Sequence, residues 1–447
     1  MKLPQKQNKQ KIIDRKPKGN PPGTFAVITL GCPKNTVDSE LLIGALSRGH
    51  LRQVADPAQA ETVIVNTCGF IQPAKSESIE TILEAARLKQ SGVRKLLAVG
   101  CLAQRYASEL KAGIPELDGV FGVDAQAAIV QELTGTKTEL DYEFGRRLLT
   151  PRHFAYLKIA EGCDNQCSFC AIPLIRGRQI SRDPESLLRE AAELARRGVK
   201  ELILIAQDLT RYGSDLKPRI DLYQFLERLL QAQLFPWVRL IYANPDFWKN
   251  KLNRLFEKYP QLCPYLDIPV QHCSSRILEQ MQRGSDRTRM IRRLQALRHA
   301  VPHIALRTSI MVGFPGESVA EFQELLDFIR EVRFERLGVF TYSAEEGTAA
   351  FGLRDNIPAG EKERRKEILM QVQWEIAHDF ALSKVGQEIP ILLERRLPDG
   401  YSGRSIWDAP EVDCTVRLQT TKLHRIGSFC HVKLSGVEGL DWTAMEV

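Results

Sequence analysis

The stretch EGCDNQCSFC, residues 161–170, places Cys163, Cys167 and Cys170 within eight positions. Three thiols at C-x3-C-x2-C spacing fit on one loop and leave one ligand too few for a closed tetrahedral zinc site. His153 precedes the motif by ten residues and no histidine follows nearby, so zinc lacks a fourth donor within reach. Three thiolates match three irons of a [4Fe–4S] cube, whose fourth iron then stays open to another ligand. Cys32, Cys68 and Cys101 form a second group, each closing an apolar run: TFAVITLGC, ETVIVNTCGF and RKLLAVGC. Any one of them alone reads as a buried small hydrophobe. All three runs ending in cysteine point instead to ligands, because parallel strands bring their carboxyl ends to one edge. Cys263, Cys273, Cys414 and Cys430 have no such arrangement and read as structural thiols.

The elements that must position these groups follow from periodicity. Past Pro21-Pro22-Gly23, the three cysteine-ended runs alternate with amphipathic patterns such as SELLIGALSRG and SESIETILEAARLKQSG. This β-α-β-α-β order predicts an N-terminal, doubly wound parallel sheet over residues 23–138. A second α/β block, residues 149–383, carries six strand candidates: FAYLKIAEGC, ELILIAQD, VRLIYANP, YLDIPVQH, ALRTSIMVGF and RLGVFTYS. Six βα units predict a central partial (β/α)6 barrel with its site at the C-terminal strand ends. A long helix over 361–385 closes this block at Gly386. Short alternating strands over 384–447 then predict a small antiparallel β-barrel of the OB-like kind. The chain is thus an α/β multidomain protein with a basic, flexible tail at 1–22.

With its strand context and Phe169 between the last two cysteines, C-x3-C-x-aromatic-C resembles the radical S-adenosylmethionine (SAM) enzymes. LGCPKN, VNTCGF and VGC sharpen this to the methylthiotransferases, two-cluster radical SAM enzymes ending in a TRAM domain; the resemblance runs from about residue 24 to 447. It implies two [4Fe–4S] clusters, one on Cys163/Cys167/Cys170 and one on Cys32/Cys68/Cys101, with SAM as cofactor. It also implies conversion of a C–H bond to C–SCH3. One SAM is cleaved at the barrel cluster to give a 5′-deoxyadenosyl radical, and another supplies the methyl group to a sulfur held at the N-terminal cluster. AQDLTRYG resembles the family's second-strand motif and would set Gln207 and Tyr212 near SAM; a plain strand end and turn is the alternative. MVGFPGE resembles the fifth-strand motif, with Gly313 and Gly316 close to SAM or simply in a tight turn. Arg176–Arg178 would offset cluster or substrate charge or lie in a solvated loop. His272 and Arg307 face the cavity or serve the structure.

Two branches of this family compete: one modifies the adenosine beside the tRNA anticodon, the other an aspartate β-carbon of ribosomal protein S12. Residues 384–447 hold eight Lys/Arg against nine Asp/Glu, a net of −1, where RNA binding favours a basic stripe. GRSIWDAPEVD brings Asp408, Glu411 and Asp413 close together, an acidic loop suited to a basic ribosomal protein. That string, YLDIPVQH and EGTAA also resemble the S12-modifying branch. The expected partners are S12, free or in the ribosome and contacted by the TRAM domain through these three residues, and a cellular electron donor.

The 447 residues suffice for several cored domains. With no apolar run long enough for a membrane span and no apolar leader at the N-terminus, the sequence predicts a cytoplasmic protein with reduced thiols and no membrane partner. The net charge of +7 is mostly the tail: residues 1–20 carry seven Lys/Arg and one Asp. The tail reads as a solubilising extension, with RNA contact as the sharper alternative. A non-catalytic RNA-binding protein or a zinc-stabilised α/β protein would leave six placed cysteines unexplained.

Overall fold

The computed structural model describes residues 23–137 and 139–447; the basic tail at 1–22 lies outside the described residues. The chain divides into two compact units at Arg147/Leu148.

The first unit is a five-stranded parallel sheet of β1 (Thr24–Thr29), β2 (Arg52–Gln53), β3 (Thr62–Thr67), β4 (Lys95–Gly100) and β5 (Gly119–Phe121), in the order β2-β1-β3-β4-β5. Its strands are apolar on both faces, as a sheet covered on both sides requires. Phe25, Ile64 and Leu97 pack on one face with Leu42, Leu46 and Ile129. Ala26, Val63, Val65 and Leu96 pack on the other with Ile82 and Ala85. Residues 139–147, which fall between the two blocks expected from sequence, belong to this unit. Arg146 forms a buried ion pair with Glu40 at 2.5 Å. A Cβ on Gly44 would lie 1.7 Å from the Gly145 carbonyl oxygen, so the segment crosses helix Pro33–Arg48 where only glycine allows it.

In the second unit, β6 (Phe154–Lys158) leads into a small antiparallel ribbon of β7 (Ala160–Glu161) and β8 (Ile180–Ser181). Five strands follow: β9 (Glu201–Ile205), β10 (Trp237–Leu240), β11 (Leu262–Asp267), β12 (Ala305–Val312) and β13 (Arg336–Thr341). With β6 they form one parallel sheet in sequential order, β6-β9-β10-β11-β12-β13. All six sequence-predicted strands are present, and the sheet stays open between β6 and β13, as a partial barrel does. Helices such as Pro184–Arg196, Leu222–Gln231 and Val319–Val332 cover its outer face with leucine and phenylalanine stripes. Two of these helices have clear start signals: Asp221/Gln224 and Ser318/Glu321 form reciprocal capping boxes.

Helix Ala359–Ser383 leads to a closed barrel of β14 (Glu388–Leu397), β15 (Gly400–Arg404), β16 (Val416–Gln419), β17 (Phe429–Glu438) and β18 (Asp441–Glu446). It is antiparallel except where β16 pairs in parallel with β18. Trp442, fully buried, donates its indole N–H to the Ala381 carbonyl at 3.0 Å and so ties barrel to helix.

Candidate active site

In the first unit the three cysteines follow three adjacent strands. Asn66 on β3 pairs with Val99 on β4, and Leu30 past β1 donates to the Asn66 carbonyl. Three glycines let the strand ends close on one another. A Cβ on Gly31 (φ +86°) would lie 2.8 Å from the Cβ of Cys68. One on Gly69 would lie 2.8 Å from the backbone of Leu102, and one on Gly100 (φ +90°) 2.3 Å from Asn66 Oδ1. A side chain at any of the three would push the cysteines apart. Asn35 holds the set: its amide donates to the carbonyls of Leu30 and Thr67, and its Oδ1 lies 3.6 Å from Cys101 Sγ. Asn66 donates to the Asn35 carbonyl and to Ser39. Sequence reasoning missed both asparagines; Asn66 is a polar residue near the end of an apolar strand, and Asn35 lies in the first turn of helix Pro33–Arg48, three residues past Cys32.

In the second unit the cysteine loop connects β7 to β8. Gly162 (φ +72°) carries the loop over Arg178, whose carbonyl oxygen would be 2.0 Å from a Cβ there. Ser168 pins the far side, donating its N–H to Met281 and its hydroxyl to Gln280 while its carbonyl accepts from Ala350. Phe169 packs among Ile277, Met281, Phe314 and Tyr342, which explains the aromatic position in the motif. Backbone amides of Asn165 and Ile172 point at the sulfurs of Cys163 and Cys170. Arg283 approaches Cys167 Sγ at 3.7 Å. Burial pushes the Cys163 thiol up to about 11 and the Cys170 thiol up to about 12, against those amides. Amide and guanidinium donors aimed at sulfur fit thiolate ligands of a cluster, and loading it would release the thiol protons.

Glu161 lies directly before this loop. It accepts from Lys158 at 2.6 Å and Arg176 at 2.9 Å, and from the amide of Gln207 at 2.5 Å. Burial alone would raise its pKa, but the two cations hold the carboxyl well below the usual range. Gln207 thus joins the site, with its Oε1 buried and unpartnered. Arg176 is buried in this network, whereas Arg178 is exposed.

Other expected residues go elsewhere. Tyr212 does not reach the site: it is buried against Phe225 and donates its hydroxyl to the Arg182 carbonyl at 3.0 Å. Gly313 makes room for the Lys362 side chain, and Glu317 takes the N–H groups of Gly313 and Phe314. Gly316 turns at φ +81° and donates its N–H to Asn356. His272 is fully buried, accepts from Ser274 N–H at Nδ1 and is held neutral by burial, its pKa pulled down to about 3. Cys263, Cys273 and Cys430 are buried. Among the described residues, the donor set tight enough for a single metal ion is His424, Cys430 and Glu446, all within 4.8 Å. There the Glu446 carboxylate is already taken by Lys422, Thr420 and His424.

The acidic loop requires a correction. Asp408 is fully buried and paired with Arg336 at 2.6 Å, and it also accepts from Ser405 at 2.5 Å. Asp413 accepts from the Tyr265 hydroxyl at 2.7 Å and pairs with Arg307 at 3.4 Å. Glu411 meets the Tyr156 hydroxyl at 3.3 Å and is the one exposed member of the three. The loop turns its carboxylates into the six-stranded sheet, beside a second buried set in which Glu201 binds Arg239 at 2.6 Å and Arg404 at 2.5 Å. Charge counting could not see this, because it counts carboxylates without knowing where their cations lie.

Comparison with known proteins agrees with this layout. Residues 24–122 match the uncharacterized protein family UPF0004, 157–329 the radical SAM superfamily and 385–447 the TRAM domain. Among solved structures, the radical SAM methyltransferase TsrM from Kitasatospora setae, with cobalamin and a [4Fe–4S] cluster bound, superposes with a TM-score of 0.55 at 13% identity, covering 84% of this chain and 76% of that one. At that identity the likeness is one of fold. Fold and site together define a radical SAM enzyme carrying a TRAM domain.

Nearer relatives narrow the class. The ribosomal protein uS12 methylthiotransferase RimO of Chloroherpeton thalassium is 43% identical over 421 residues, 93% of this chain and 96% of that protein. Its counterpart in Pelotomaculum thermopropionicum is 44% identical over 441 residues, 95% and 99% of the two chains. The chain belongs to the radical SAM methylthiotransferase family.

Proposed function

We propose that this protein methylthiolates ribosomal protein uS12 at an aspartate β-carbon, using two [4Fe–4S] clusters and SAM. The observation that carries this reading is the presence of two cysteine triads, one at strand ends and one on a loop, each shaped by glycine and hydrogen-bond geometry, in a chain more than 40% identical to named uS12 methylthiotransferases. Cys163, Cys167 and Cys170 would hold the cluster that cleaves SAM, and Cys32, Cys68 and Cys101 the one that presents sulfur. When bound, the clusters and SAM supply electron transfer, hydrogen abstraction and the methylthio group.

The chain's own residues bind, orient and shield. Asn165, Ile172 and Arg283 direct donors at the barrel triad's sulfurs, and Phe169 with its apolar neighbours keeps water from one side of the loop. Glu161 fixes Gln207 so that its free oxygen can accept from a bound molecule. Asn35 keeps the N-terminal strand ends in register. Among the described residues no helix is long and apolar enough to cross a membrane. Because Asp408 and Asp413 are internal, Glu411 is the one of the three left at the surface to meet uS12. Mass spectrometry of uS12 and of tRNA from cells with and without the protein tests the reading: the methylthio group should vanish from uS12 alone, and its loss from tRNA instead would overturn the assignment.

A further inference from the structure

Three cationic side chains on the inner face of the six-stranded sheet have well-defined charge partners. Lys158 is bound to Glu161, Arg239 to Glu201 and Arg336 to Asp408, all at 2.6 Å and all nearly inaccessible. Arg307 differs. Its contacts with Asp267 and Asp413 are both 3.4 Å, and its side chain keeps 19% of its accessible surface. Its Nε and Nη1 make those contacts, while Nη2 donates to no group among the described residues.

The direction of that exposure follows from β12. Arg307, Ser309 and Met311 are partly accessible, whereas Leu306, Thr308, Ile310 and Val312 are buried. Leu306, Ile310 and Val312 pack in the core beneath the helices, so the alternate face is the inner one. On the neighbouring strand, Gly338 pairs with Ser309, and a Cβ there would stand 4.0 Å from Arg307 Nη2. The missing side chain leaves a gap directly beside the unpaired guanidinium edge.

We propose that Arg307 is the specificity-determining residue that receives the carboxylate of the substrate aspartate through the gap at Gly338; this rests on the uS12 reading above. A guanidinium with an open donor edge suits a carboxylate oxygen. Held there, the carboxylate lies on the inner face of the sheet, beside Ser309 and Gly338. An asparagine in the same place would offer an N–H to a donor and lose the charge-assisted bond, which is worth roughly a 10- to 100-fold preference.

The test compares methylthiolation of uS12 with that of uS12 whose target aspartate is replaced by asparagine, using full-length reconstituted enzyme. The ratio is taken within each variant, so a partly folded preparation does not change it. Wild type should prefer aspartate by at least about tenfold. Arg307→Gln should bring the ratio to within a few-fold of one, and Arg307→Lys should keep part of it. Gly338→Ala, at ordinary contact distance from Phe340 and Arg307, should raise KM for uS12 while leaving KM for SAM unchanged. If Arg307→Gln keeps the wild-type ratio, or if Gly338→Ala raises KM for SAM instead, Arg307 does not read the substrate. If Arg307→Gln does not fold, Gly338→Ala decides alone. Wild type that modifies neither form of uS12 would overturn the functional reading itself.

Discussion

Arg336 and Asp408, 72 residues apart, meet at 2.6 Å with both side chains almost fully buried, and so fasten the first turn of strand β13 to the TRAM barrel's β15–β16 loop. Burial of such a pair costs solvation on both sides, and the bond recovers it only while both partners are present. Asp408→Ala leaves Arg336 as an uncompensated buried cation beside Phe380 and Trp442. It should destabilise the chain by about 3–5 kcal/mol. The double variant Arg336→Met/Asp408→Leu should cost clearly less than either single change. Denaturant melts of the four proteins check this; additive losses would show that the two residues act independently.

Gly100→Ala should dismantle the first cysteine triad and spare the second. At φ +90° a Cβ is strained, and its place is 2.3 Å from Asn66 Oδ1 and 2.9 Å from the Thr67 carbonyl oxygen. Reconstituted Gly100→Ala should hold about half the wild-type iron, given one cube per triad. Simultaneous alanine replacement of Cys163, Cys167 and Cys170 should also leave about half, from the other cube. Unchanged iron and sulfide in that triple variant would remove the barrel cysteines as ligands.

Glu321 should contribute to the acid limb of stability. Burial alone would raise its pKa, but Arg276, Ser318 and Ser274 hold it at about 2, against 4.5 in the unfolded chain. A folded pKa below the unfolded one gives stability that is complete above about 4.5 and is lost as pH falls towards 2. Glu321→Gln should flatten that part of the pH–stability curve and leave its shape unchanged above pH 6. The same acid slope in the variant would assign the effect to other carboxylates.

The strands were legible, and the two cysteine triads could be proposed, because both depend on local signals: apolar runs, their spacing and thiols at fixed offsets. The long helix and the barrel order followed from the same periodicity. The acidic loop was misread because its meaning is tertiary. Asp408 and Asp413 read as a surface patch until Arg336 and Arg307, more than 70 residues earlier in the chain, are brought beneath them by the sheet. Tyr212 misled for a related reason: a motif placed it near the strand ends, but the turn after β9 sends its ring outwards to Phe225. Gln207, five residues earlier, stayed because Glu161 holds it.

The most direct test of the account is a reaction in vitro. Purified, anaerobically reconstituted protein is incubated with SAM, a reductant and either uS12 or an anticodon-loop tRNA, and both substrates are read by mass spectrometry. The account predicts that one hydrogen of a uS12 aspartate is replaced by a methylthio group and that the tRNA is unchanged. A methylthiolated adenosine with unmodified uS12 would contradict it.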